Sequence, residues 1–107
     1  MKRSTKLFHG RRRNTPGPSV VVDDGSRSGL ILRYRGQSRQ WNWGSEALSE
    51  ELELLAGAIL SQVASDDLAA EHMAEFATDV VADFPDGGFT IADWQVEAWL
   101  QSRCARS

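Results

Sequence analysis

At 107 residues, 41% hydrophobic and 25% charged, the chain has the size and composition of one globular domain, which excludes a disordered or collagen-like polymer. Its net charge of −3 conceals a division: residues 1–43 hold ten basic and two acidic side chains, residues 44–107 thirteen acidic and two basic. No apolar run reaches bilayer length and none follows the basic start MKRSTKLFHGRRR, so no membrane span and no secretory signal is expected.

The first half reads as strands and turns. STKLFHG is a first strand, Pro16-Gly17 the centre of a type II turn, SVVVDD a second strand and DDGSRSG another turn. In LILRYR the residues Leu30, Leu32 and Tyr34 alternate with Ile31, Arg33 and Arg35, the period of a half-buried antiparallel strand. SRQWNW suits a fourth strand with Trp41 and Trp43 on one face.

The second half reads as helices. From about Glu46 to Ala64, Leu48, Leu52, Leu55, Ile59 and Val63 form one apolar stripe. Ser65 is a suitable N-cap for the next helix, with Asp66 and Asp67 in its first turn, where carboxylates complement the helix dipole. That helix is expected to run to about Phe84, burying Ala69, Met73, Phe76, Val80 and Val81, before FPDGG stops it. TIADWQVEAWL reads as a last helix capped by Thr90, with Asp93 three residues on. The expectation is a single α+β domain over residues 1–107: a small antiparallel sheet of three to four strands followed by three α-helices packed on it. Its β-rich half, 1–43, is basic and its helical half, 44–107, acidic.

Four groups of side chains bear on function. Trp41 and Trp43, with Tyr34, Arg33, Arg35 and Arg39 nearby, have the makings of a base-stacking platform; the competing reading, favoured by the alternation, packs both rings under the first helix. The terminal cations Lys2, Arg3, Lys6, Arg11, Arg12 and Arg13 suit phosphate, although the acidic half would repel a long duplex. Glu71, Glu75, Asp79 and Asp83 recur every fourth residue, about 6 Å apart along a helix. No lysine or arginine stands three or four positions from any of them, so no local ion pair relieves their repulsion. Such a row resembles the spacing of phosphates along a nucleic-acid strand; the alternative is an ordinary solvated face.

Catalysis and metal binding find little support. His72 and Glu75 could share an ion, but two ligands are too few, and His9 belongs to a separate strand. Cys104, the only cysteine, lacks an evident base and precludes an internal disulfide, which points to a reducing, cytoplasmic setting. No Walker loop or dinucleotide fingerprint occurs. No enzyme activity, cofactor or metal is expected.

Several short segments together look familiar: Gly10-Arg11-Arg12, Trp43-Gly44, Leu55 to Leu60, Phe76 with Val80 to Phe84, Gly88-Phe89-Thr90, and Val96 with Trp99-Leu100. In these the chain resembles an uncharacterised family of short bacterial and phage-borne proteins, a domain of unknown function. Members tend to carry a glycine-rich segment with a proline after the tryptophan-glycine pair; here SEALSEE stands instead, and Glu46, Glu50 and Glu51 would repel an anion there. The resemblance implies the fold and a phage or plasmid context, and no catalytic residue.

The leading expectation is a small non-enzymatic binding module. Its acidic face, Glu71, Glu75, Asp79 and Asp83, would engage a basic, nucleic-acid-binding protein; a phage or mobile-element inhibitor of host nucleic-acid-targeting defence, anti-CRISPR-like, is one version. Reversing Glu75 and Asp79 is expected to abolish binding with the fold intact. The alternative is an accessory protein that binds nucleic acid through Arg33, Arg35 and Arg39. A monomer, or a homo-oligomer joined basic end to acidic end and dissociated by salt, fits either reading.

Overall fold

The computed structural model describes residues 6–11, 19–25, 30–34, 37–38, 41–44 and 47–104. In chain order these form β1 (Leu7–Arg11), β2 (Ser19–Asp23), β3 (Leu30–Ile31), β4 (Arg33–Tyr34), β5 (Gln37–Ser38), α1 (Ser49–Val63), α2 (Asp66–Asp79), a 3-10 turn (Val81–Asp83), β6 (Gly88–Ala92) and α3 (Asp93–Cys104). The α+β class expected from the sequence is the class observed: an antiparallel sheet and three helices.

The main sheet has the order β3-β2-β1-β6, and β4 and β5 form a separate two-stranded ribbon. Its fourth strand therefore comes from the acidic half. Gly88–Ala92 pairs with β1 along its whole length, Phe8 opposite Ile91 and Gly10 opposite Phe89. This corrects the expectation that Thr90 caps the last helix. Thr90 lies mid-strand, α3 starts at Asp93, and Gln95 accepts the Ala92 N–H at 2.8 Å, which supplies half a capping box two residues later than expected. The close approach of β6 depends on Gly10, where a β-carbon would overlap the Phe89 ring.

One face of the sheet presents Phe8, Val20, Val22, Phe89 and Ile91 to a continuous core with Leu32, both seam tryptophans and the helices. Helix α1 is enclosed on every side from Leu55 to Leu60. That exceeds the single stripe expected, and small residues make it possible: a β-carbon on Gly57 would stand 3.1 Å from Tyr34 Cζ and 3.2 Å from Met73 Sδ. The stripe also ends early, because Leu48 is 67% exposed.

Helix α2 begins as expected. The Ser65 hydroxyl accepts the Leu68 N–H at 3.2 Å, with Asp66 and Asp67 in the first turn. It stops at Asp79 rather than near Phe84; Val80 leaves helical geometry and the 3-10 turn follows.

Candidate functional site

The seam comes first. Trp41 and Trp43 are each 1% exposed, and neither lies in a strand. Trp41 Nε1 donates to the Leu32 carbonyl at 3.2 Å, and Trp43 Nε1 to the Pro85 carbonyl at 3.0 Å. Trp43 also meets Phe89 edge to face at 5.1 Å, and Phe89 stacks on Phe84. Both indoles thus span the boundary between the charged halves, each with its N–H satisfied. A base-stacking platform at this seam is excluded by that burial. Arg33 is exposed on β4, whereas Arg35 and Arg39 lie outside the described residues.

The acidic row is partly engaged within the molecule. Asp79 Oδ2 accepts a hydrogen bond from Trp99 Nε1 at 3.1 Å and a short ion pair from Arg103 Nη2, and Arg103 Nη1 lies 3.5 Å from Glu75 Oε2. The guanidinium stands 5.2 Å from the centroid of the Trp99 ring, which meets Phe76 edge to face at 5.0 Å. Helix α3 thus supplies the cation that no neighbour on α2 provides. The pairing crosses 24 residues of sequence, so i±3 and i±4 spacings could not reveal it. Glu75 and Asp79 consequently dock α3 on α2. Asp83 falls in the 3-10 turn, past the helix end, and the straight row is limited to Glu71, Glu75 and Asp79.

His72 packs beside this cluster, its ring edge-on to Trp99 at 6.1 Å. Its Nδ1 is buried without a hydrogen bond, 4.0 Å from Glu75 Oε1. Among the described residues, no three His, Cys, Asp or Glu side chains converge on a point that could hold a metal ion.

Two features escaped the sequence reading. On the sheet face away from the helices, His9 Nδ1 stands 3.0 Å from Thr90 Oγ1, and its Nε2 3.0 Å from Asp23 Oδ2. This chain of polar contacts crosses β6, β1 and β2 and ties the acidic half's strand to the basic half. The juxtaposition of residues 9, 23 and 90 exists only through sheet pairing. The second feature is a shallow crevice of about 190 Å³ between the start of α1 and the end of α2, lined by Ser49, Leu52, Glu53, Ala74, Ala77, Thr78 and Ala82. A stripe of small residues was visible on α2, but which helix it would face was not.

Over residues 47–104 the chain carries twelve carboxylates and a single lysine or arginine, Arg103. No helix among the described residues is long and apolar enough to cross a membrane.

The fold defines a small α+β domain. The chain belongs to the family of unknown function DUF6166, which matches residues 8–102. No curated protein and no solved structure matches it.

Proposed function

We propose that the protein is a non-enzymatic binding module whose acidic helical layer engages a basic, nucleic-acid-binding protein in a cytoplasmic setting. The observation that carries this reading is the charge of that layer, twelve carboxylates against Arg103 across residues 47–104. Glu71, Asp66, Asp67 and Asp83 are exposed, and the ion pairs of Arg103 go to Glu75 and Asp79 instead. A field of one sign steers a partner of the other sign and accelerates encounter. Inhibition of a host nucleic-acid-targeting system, by mimicry of a phosphate backbone, is the specific form proposed.

The substitutions that test this reading differ from the Glu75 and Asp79 reversal expected first. Reversing Asp79 would remove the acceptor of Trp99 and Arg103, and the resulting loss of binding would report a displaced α3. Glu71→Lys with Asp83→Lys is the cleaner pair. In a pull-down after nuclease treatment, the parent chain is expected to retain a basic protein and this double variant to lose it, with unchanged circular dichroism. Retention by the variant overturns the proposal. Recovery of nucleic acid that depends on Arg33 would favour the accessory-protein reading instead, and a salt-sensitive oligomer would favour self-assembly.

A further inference from the structure

Helix α1 begins against two local rules at once. An N-cap residue normally offers a side-chain oxygen to the first-turn N–H groups, and Leu48 has none. Glu51 compensates only by accepting the Leu48 N–H, at 2.8 Å. The leucine side chain gains little burial in exchange, being 67% exposed. It immediately precedes Ser49, on the rim of the α1–α2 crevice, and stands one turn before Leu52 in its wall.

The crevice floor is apolar: Leu52, Ala74, Ala77 and Ala82. At about 190 Å³ it falls below the roughly 300 Å³ at which small-molecule pockets begin, and suits a single aliphatic side chain. Its border is acidic. Glu53 lines it, and Glu50 and Asp83 adjoin Ser49 and Ala82 in the chain. Lysine and arginine would therefore be attracted to the border and an aliphatic group to the floor.

We infer that this crevice, whose rim residue Ser49 directly follows the exposed Leu48, is the docking site for a basic peptide segment of the partner, which inserts one aliphatic side chain between α1 and α2 while flanking cations face Glu50, Glu53 and Asp83. The inference rests on the acidic-layer reading and names the point at which that layer is entered. A charged partner is steered by the whole surface; the crevice sets the register.

The test uses the full chain and two fluorescein-labelled decapeptides, both rich in lysine and arginine, one with a central leucine and the other with serine in its place. Anisotropy titrations are expected to show the leucine peptide binding at least tenfold more tightly. Leu48→Ser and Thr78→Phe, which fills the crevice from its exposed side, should each weaken it fivefold or more. L48S supplies the missing cap, so its lost affinity cannot come from unfolding; a melting curve for T78F checks the second variant. Equal binding of the two peptides, binding of neither, or indifference to both substitutions overturns the inference. If the peptides bind equally and Asp67→Lys with Glu71→Lys abolishes both, the acidic-layer reading survives and the crevice does not. If leucine-dependent binding is untouched by that reversal, the crevice survives and the wider layer does not. A dimer abolished by L48S would assign the crevice to a second copy and overturn the basic-peptide assignment.

Discussion

Between Leu55 and Leu60 every residue of α1 is buried, whereas α2, nearly as long, buries only Ala69, Phe76 and Ala77. The two helices lie side by side, yet one is an internal strut and the other a lid with a charged outer surface. Small residues explain the first: Ala56, Gly57 and Ala58 let neighbouring side chains approach on several sides. Carboxylates explain the second, because they keep the outer face of α2 in water while Ala69, Met73, Phe76 and Ala77 hold its inner face against α1 and the core. Burial is therefore concentrated in α1 and the seam, and exposed surface on the outer face of α2 and the start of α1.

Substitution at Ile59 should expose the difference most strongly. Ile59→Ala removes a fully buried side chain from α1 and is expected to cost about 2–5 kcal/mol in urea unfolding. A loss below about 1 kcal/mol would show that the core around α1 collapses onto the gap. Trp43→Phe keeps most of the aromatic packing but removes the bond to the Pro85 carbonyl, at about 1 kcal/mol. Pro85 O retains the Gly88 N–H, so the cost should not approach that of an orphaned acceptor.

On the lid the effects should be smaller. Arg103→Ala unlinks α3 from Glu75 and Asp79, all of them partly exposed, for about 1 kcal/mol or less. Hydrogen exchange should then accelerate in α3 more than in α1; uniform acceleration would mean that the pairing supports the whole fold. His72→Phe preserves an edge contact with Trp99 and removes the unpaired Nδ1, so thermal unfolding should move upward by an amount corresponding to about 1 kcal/mol. Leu48→Ser should raise stability by roughly 0.5–1 kcal/mol through the added cap, the one change expected to strengthen the fold while weakening a binding surface.

Much of the fold was legible because its signals are local. Ser65 followed by two aspartates announces a helix start, the three- and four-residue recurrence of apolar side chains announces α1 and α2, and the alternation around Trp41 and Trp43 announces burial. The β6 strand was not legible. TIADWQVE carries helix-start chemistry, and only the pairing of Phe89 and Ile91 with β1 makes Gly88–Ala92 extended. For the candidate site, the charge and positions of Glu71, Glu75 and Asp79 were readable, but their division into docking and free groups was not.

The sequence by itself determined the α+β class, the opposite charge of the two halves and the burial of the seam tryptophans, because composition and periodicity act over a few residues. Tertiary structure alone decided that Arg103 closes on Asp79, that His9 joins Thr90 to Asp23, and that Leu48 stays largely exposed while α1 and α2 leave a crevice between them. Each of these depends on contacts between residues distant in the chain, whose geometry is set by core packing and strand register and leaves no local trace.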